Sequence, residues 1–419
     1  MTLRSFFIAL LALFLFQPAN AQTTAIRAGQ LLDPATGQVT ADQVILVEDG
    51  RITGVGPSLE IPDGALIVDL SDLTVLPGLI DAHTHMSLGM ELDQHFGTPL
   101  LANIYNSTPY RAIRGVIRAR EMLEAGFTTI RDVGNAADWA DLAVRRAISE
   151  GLVPGPTMLV SGKIIAPYGG QGFLPTEHPW LADHEYLFAD TRDELTKAIR
   201  LNAHQNVDVI KIVVDDQPYV YSVEDLRFIV AEAANAGLKV AAHCMTERGA
   251  RNAAEAGIHS IEHGWVMSDE TMEVMKRNDV TLVTTEFTAE VLQEYNIDEE
   301  TSRQMHLIPV ERMVRAHRLG IRIAFGSDLI MDFDHMTRGE AAVSLLDSFV
   351  ESGVPPESIL YYMITEPARL LGMEGSRGAI DQGHFADIVA TESNPLEDIH
   401  TLKSVRFVMK EGVIIKQHD

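Results

Sequence analysis

Six side chains that can bind metal ions occur within or at the ends of short apolar segments: His83, His85, Lys211, His243, His263 and Asp328. His83 and His85 are two positions apart, and residues i and i+2 of a strand point to the same face, so both imidazoles would converge. Charged groups are rarely buried unless they are paired or bound to a metal. The set therefore predicts a metal site of nitrogen and oxygen ligands, which suits zinc but also manganese, cobalt or iron.

Lys211 lies inside the apolar segment VDVIKIVV, residues 207–214. An ammonium group beside two divalent cations would be repelled, so a lysine suits this place if its amine is neutral and has reacted with CO₂. The product, N6-carboxylysine, is an anion whose two oxygens can bridge two metals, and burial favours the neutral amine. We therefore predict a carbamylated Lys211 and two divalent ions, with zinc expected.

Eight short apolar segments alternate with amphipathic helical stretches. They are residues 75–85, 128–134, 157–165, 207–214, 239–244, 260–265, 281–287 and 322–328. This alternation favours an α/β fold with a parallel (β/α)₈ TIM barrel, in which the C-terminal ends of the strands form the active-site face. A doubly wound open sheet is the alternative, but no G-x-G-x-x-G or P-loop motif follows any of these segments.

Both ends of the chain are rich in strand and turn residues. An Asp49-Gly50 pair within alternating apolar and polar residues indicates a hairpin. We expect a small β-sandwich domain formed from both termini, residues 22–76 and 378–419, beside a barrel of residues 77–377.

The first 21 residues predict a secretory signal peptide. Arg4 precedes the apolar run 6–16, and Ala19-Asn20-Ala21 gives a small-x-small cleavage site. We expect cleavage after Ala21 and a periplasmic or secreted protein. An uncleaved anchor is the alternative, but the run is short for a bilayer.

The formal net charge is −26, whereas nucleic-acid binding needs basic surface. The same charge disfavours binding to anionic membranes. Cys244 is the single cysteine, so the chain can form no internal disulfide. We expect a small-molecule substrate and neither a nucleic-acid nor a membrane partner, and the sequence leaves a homo-oligomer open.

The segments that carry these residues resemble the amidohydrolase superfamily in its carbamylated-lysine, two-metal form. The similar motifs are GLIDAHTHM, VIKIVV, VAAHC, SIEHGW, FGSD and PARLLGMEGSRGAIDQGHFADIV. The resemblance covers essentially the whole mature chain and is nearest to the prolidase-like branch, which is related to imidazolonepropionase. Relatives in that branch cleave Xaa-Pro or other dipeptides, or N-acyl amino acids.

The resemblance also implies roles for the six residues. One ion would be held by His83, His85 and Asp328, the second by His243 and His263, and carbamylated Lys211 would bridge them. A hydroxide between the metals would attack the amide carbonyl, and catalytic Asp328 would pass its proton to the leaving nitrogen.

The expected substrate-binding residues are Tyr168, Gln171, Tyr219, Tyr221, His335 and Arg338. His335 or Arg338 would hold a substrate carboxylate. Dipeptide-cleaving relatives often have Gly-Gly-His-Gly where Gln171 stands here, and glutamine cannot carry charge. We therefore expect weaker use of simple dipeptides and a preference for N-acyl amino acids. Arg131 and Asp132 are expected to form a buried structural ion pair.

Two other functions remain open. A one-metal deaminase, or a cyclic-amide or lactone hydrolase of the same superfamily, is the first alternative. Deaminases usually lack the bridging lysine and have glutamate three residues after the strand-five histidine, where Thr246 stands here. A non-catalytic binding protein would be expected to lose metal ligands, and none is missing. Two, one or no metal ions per chain would distinguish the three.

Overall fold

The computed structural model describes residues 23–89, 104–135, 137–171, 177–216 and 218–417. The predicted signal peptide lies outside these residues. Among the helices that are described, none combines the length and apolar character needed to cross a membrane.

Seventeen strands are described. In chain order they are β1 (Thr24–Asp33), β2 (Gln38–Glu48), β3 (Arg51–Gly56), β4 (Leu66–Pro77), β5 (Leu79–Thr84), β6 (Phe127–Asp132), β7 (Thr157–Val160), β8 (Ile164–Ala166), β9 (Tyr186–Phe188), β10 (Val209–Val213), β11 (Lys239–Cys244), β12 (Ser260–His263), β13 (Thr281–Val283), β14 (Ile323–Ala324), β15 (Ile388–Thr391), β16 (Phe407–Lys410) and β17 (Val413–Gln417).

The helices pack outside the barrel strands. They are α1 (Thr108–Glu124), α2 (Ala140–Ser149), α3 (Arg192–His204), α4 (Val223–Ala234), α5 (Glu247–Ala256), α6 (Asp269–Arg277), α7 (Ala289–Glu294), α8 (Glu299–Leu319), α9 (Arg338–Ser344), α10 (Leu346–Glu351), α11 (Pro356–Leu360) and α12 (Glu366–Leu371). Short 3₁₀ turns cover Pro179–Ala182 and Ile399–Ser404, and a π-helical turn covers Tyr361–Thr365. Many of the helices begin where a Ser, Thr or Asp side chain accepts a backbone N–H of the first turn, as Thr191 does for α3 and Ser222 for α4.

The barrel is built from two runs of parallel strands. One run has the order β5-β6-β7, and the other has the order β14-β13-β12-β11-β10-β8-β9. Backbone hydrogen bonds join β14 to β5, since the N–H of Ala82 donates to Phe325 (2.9 Å) and that of Asp328 to His83 (2.8 Å). The predicted (β/α)₈ fold with a β-rich part from both termini is confirmed.

The third barrel strand differs in detail from its prediction. It is divided into β7, which pairs with β6, and β8, which pairs with β10. Gly162 lies between the two pieces with φ of +65°, and a Cβ there would come 2.8 Å from the Trp139 ring. The turn therefore needs glycine, and it divides the strand that the apolar run 157–165 predicted as one piece.

Strands from both ends of the chain form one seven-stranded sheet of order β17-β16-β15-β4-β1-β2-β3. The N–H of Ile52 donates to His384 (2.9 Å) and that of Ala386 donates to Gly50 (2.9 Å), so the β2–β3 hairpin meets the segment before β15. The sheet thus folds over its own apolar core, which is separate from the core of the barrel.

Candidate metal centre

The C-terminal ends of the barrel strands bring four buried imidazoles and one carboxylate together. His83 lies on β5, His243 on β11 and His263 at the end of β12, and each is at most 5% exposed. His263 and Asp328 have positive φ angles of 68° and 53°. The backbone therefore leaves the regular strand geometry at both residues, and this lets their side chains enter the mouth of the barrel.

His83, near the end of β5, and His85, just after it, each have one ring nitrogen held by the protein. His83 Nδ1 lies 2.7 Å from a carboxylate oxygen of Glu262, and His85 Nδ1 lies 2.8 Å from the carbonyl oxygen of Gly134. The two Nε2 atoms then face each other at 3.2 Å, and Asp328 Oδ1 lies 2.9 Å from the one on His85. Two nitrogens and one carboxylate oxygen thus converge on one point, as a metal site requires.

The second pair of imidazoles is held in the same way. His263 Nδ1 lies 2.9 Å from the Thr285 hydroxyl, and His243 Nε2 lies 2.6 Å from a carboxylate oxygen of Asp216. His263 Nε2 and His243 Nδ1 remain as the candidate metal-binding nitrogens, and the two rings lie 4.5 Å apart between centroids. Gln171 Nε2 is 3.3 Å from His243 Nδ1, which places this amide at the edge of the site.

The pKa shifts of two imidazoles favour metal binding, whereas at His85 burial is outweighed by the hydrogen bond to Asp328, which raises the pKa. Burial lowers the pKa of His83, and burial together with neighbouring His243 takes the pKa of His263 well below its usual value. Neutral imidazole is the form that binds metals. Burial alone would raise the pKa of Asp328, but His83 and the other histidines outweigh it and keep the carboxyl ionised.

Lys211 lies on β10 and is 3% exposed. Burial lowers its pKa to about 8, against the opposite effect of Glu262 and Asp328. Within the described parts of the chain, the Lys211 amine makes no hydrogen bond or ion pair. A buried amine of this pKa, close enough to His83, His263 and Asp328 to affect their charges, fits the chemistry that carbamylation needs.

Glu262 connects the first imidazole to the barrel interior. Its carboxylate accepts hydrogen bonds from the Arg131 guanidinium at 2.9 and 3.1 Å and from the Ser260 hydroxyl at 2.5 Å. The expected ion pair between Arg131 and Asp132 is therefore wrong, because Arg131 pairs with Glu262. Asp132 accepts the backbone N–H of Met86 instead.

The six residues expected to bind the substrate occupy different places. Gln171 alone reaches the imidazoles. Tyr168, Tyr219 and His335 are exposed, with His335 Nε2 3.8 Å from Glu294.

The other two expected residues, Arg338 and Tyr221, are buried. Arg338 is 2% exposed and pairs with Asp332 at 2.9 Å, while the Tyr221 hydroxyl donates to the carbonyl of Ala189 at 2.6 Å. Both therefore use their polar atoms inside the protein, where they support the loops around the site.

Sequence reasoning did not single out Glu262, Thr285 or Asp216, the groups that orient three of the imidazoles. The sequence could have indicated Glu262, because a carboxylate in the apolar segment SIEH needs a partner. Nothing in the sequence indicates the roles of Thr285 and Asp216, since hydroxyls and carboxylates are common just after strands.

Comparisons with known proteins identify similar sequences and structures. A model described as "Amidohydrolase family" matches residues 74–415. Ochratoxinase of Aspergillus niger is 28% identical over 438 aligned positions, covering 95% of this chain and 87% of that protein. A solved Xaa-Pro dipeptidase with bound methionine in its active site is 27% identical, with a TM-score of 0.81 over 94% of this chain and 99% of that one. A prolidase in complex with N-methylphosphonate-L-proline is 26% identical, with a TM-score of 0.82 over 95% and 100%.

Proposed function

The chain belongs to the amidohydrolase family, and from that premise we propose that it is a two-metal hydrolase of amide or peptide bonds in small substrates. The substrate class we propose is a dipeptide or an N-acyl amino acid. Its relatives include ochratoxinase and a Xaa-Pro dipeptidase, and like them the chain is a hydrolase that acts on C–N bonds. With the predicted signal peptide, we infer that it works in the periplasm or outside the cell.

The observation that carries this proposal is the arrangement of the imidazole nitrogens. Each of the four rings has one nitrogen held by Glu262, the Gly134 carbonyl, Asp216 or Thr285, and we propose that the other nitrogen binds a metal. His83, His85 and Asp328 would hold one ion, and His243 and His263 the other. Two bound divalent cations would act as Lewis acids and lower the pKa of water.

Lys211 supplies the remaining anionic ligand in this proposal. Its neutral amine forms an N–C bond to CO₂ and loses one proton to solvent, which gives a carbamate with one negative charge. Because burial lowers the Lys211 pKa to about 8, a larger fraction of the amine is reactive near neutral pH than in an exposed lysine. The carbamate would lie between the two pairs of histidines.

Asp328 is the group that we propose moves the proton. Its Oδ1 lies 2.9 Å from His85 Nε2, and its Oδ2 lies 3.5 Å from His263 Nδ1. The carboxylate therefore reaches both halves of the site. Its lowered pKa keeps it ionised, which is the form that can accept a proton from the attacking water and deliver it to the leaving nitrogen.

Gln171 is proposed to hold the substrate at the opposite edge. Its Oε1 accepts from the Tyr186 hydroxyl at 2.8 Å, which turns its Nε2 towards His243 as a donor. A neutral amide donor can bind a substrate carboxylate or carbonyl, but it holds a carboxylate less strongly than a cation would. The preference for N-acyl amino acids over simple dipeptides stays a separate prediction, because both classes carry this carboxylate.

A substrate screen tests the proposal. Zinc-replete enzyme is incubated with dipeptides and N-acyl amino acids, and release of the free amino acid is measured, with Asp328→Asn protein as the control. We expect hydrolysis in at least one of these two classes. Activity confined to lactams, lactones or esters would contradict it.

A further inference from the structure

The loop after β10 carries two adjacent aspartates that lie against His243 and the residues following it. Asp216 Oδ2 is 2.6 Å from His243 Nε2, and the Asp216 side chain is 26% exposed. The backbone of Asp216 has φ of 84°, a left-handed value that residues other than glycine rarely adopt. A disfavoured conformation persists where its surroundings hold it, and such positions are concentrated at functional sites.

The neighbouring Asp215 provides that hold. Its carboxylate is 1% exposed and accepts the N–H of Met245 at 2.8 Å, the N–H of Thr246 at 2.8 Å and the Thr246 hydroxyl at 2.7 Å. The contact is close, because a Cβ on Gly249 would lie 2.0 Å from Asp215 Oδ2. The loop after β10 is thus attached to the first residues after His243.

We propose that Asp216 is a positioning residue that fixes the ring and the tautomer of His243. With its proton on Nε2 and shared with Asp216, the imidazole presents unprotonated Nδ1 to the metal. The inference rests on the proposed two-metal site and on no particular substrate. A histidine that binds metal commonly donates its other N–H to a carboxylate, and losing that partner weakens metal binding.

Glycine at position 216 separates positioning from a purely structural role. Asp216→Gly removes the carboxylate but suits the left-handed backbone, so the fold should be kept or stabilised. Asp42→Gly is the matched control, because exposed Asp42 also has a positive φ, 54°, and lies on β2, outside the barrel. Asp216→Asn keeps an acceptor oxygen and tolerates the backbone but loses the charge.

The experiment titrates metal-free protein with Zn²⁺ against a chromophoric chelator and records thermal unfolding of the metal-free form. Wild type and Asp42→Gly should bind two ions alike. Asp216→Gly should bind one ion with wild-type affinity and the other about 10- to 100-fold more weakly, and its Tm should be unchanged or higher. The affinity of Asp216→Asn for this second ion should lie between those of the wild type and Asp216→Gly.

Wild-type affinity for both ions in Asp216→Gly would overturn the inference. So would an equal loss of both ions accompanied by a lower Tm, because that pattern belongs to a structural residue. Fewer than two ions in the wild type would instead refute the two-metal proposal itself, and the role of Asp216 with it.

Discussion

Glu262 Oε2 lies 2.7 Å from His83 Nδ1, and neither side chain is more than 1% exposed. The same carboxylate binds the buried Arg131 guanidinium. One group therefore orients a candidate metal-binding imidazole and neutralises a cation inside the barrel. Removing its charge should affect both stability and metal binding.

We expect Glu262→Gln to lower the free energy of unfolding by about 3–5 kcal/mol near neutral pH, because it leaves Arg131 without its charged partner. Denaturant titration of the metal-free protein measures this. Glu150→Gln is the control, since Glu150 and Arg146 form an exposed pair, and the expected change is below about 1 kcal/mol. A change in Glu262→Gln as small as that of the control would contradict the assigned role.

The effect of Glu262 should also depend on pH. Burial raises its pKa, but Arg131 and His83 outweigh this and lower it to about 2, below the ordinary value of 4.5. Its contribution to stability is therefore complete above pH 4.5 and is lost as the pH falls towards 2. The difference in unfolding free energy between wild type and Glu262→Gln should be constant above pH 4.5 and shrink below it. A difference in unfolding free energy that increases as the pH falls would contradict this prediction.

Lys211→Ala should lose the anionic bridge, and with it bound metal and nearly all activity. Short carboxylic acids should restore part of both. Elemental analysis and hydrolysis assays measure this, with Lys403→Ala as the control because Lys403 pairs with Asp347 at the surface. Two bound ions and full activity in Lys211→Ala would refute the carbamate.

Reconstitution of the metal-free enzyme gives an independent test of Lys211. The reactive neutral amine increases as the pH rises through about 8, so metal uptake at a fixed concentration of dissolved CO₂, supplied as bicarbonate, should become faster over that range. Uptake that ignores bicarbonate at every pH would exclude carbamylation as a requirement.

The candidate metal ligands could be singled out because each lies in or just after a recognisable apolar segment and metal donors are costly to bury alone. The rule that successive side chains of a strand face opposite sides no longer predicts orientation where the backbone leaves strand geometry. On a regular strand Glu262 and His263 would face opposite sides, but His263 has φ of 68°, so Glu262 contacts His83 while His263 also enters the site. The contact of Asp216 with His243 depends on the loop after β10 lying against the end of β11, which local patterns do not encode.

Asp328→Asn should lower kcat by at least about 100-fold, because the amide keeps the shape and one ligand oxygen but cannot accept the proton. Steady-state kinetics and metal analysis of the same preparation measure this. Asp381→Asn, near the surface in the C-terminal segment, is the control and should behave as wild type. A change confined to KM would show that another group moves the proton.

The last prediction concerns the substrate carboxylate. Each substrate is assayed with its carboxylate free and again as the amide. The free form should be preferred by about 10- to 100-fold in kcat/KM, the range for a hydrogen bond to a charged group. Gln171→Ala should reduce this preference because Gln171 Nε2 lies at the imidazoles. Arg338→Lys should lower Tm and leave the preference unchanged, because Arg338 is buried against Asp332. Equal values for the two forms in wild type would mean that no group holds the carboxylate, and a lactam, lactone or ester hydrolase would then replace the peptidase-like assignment.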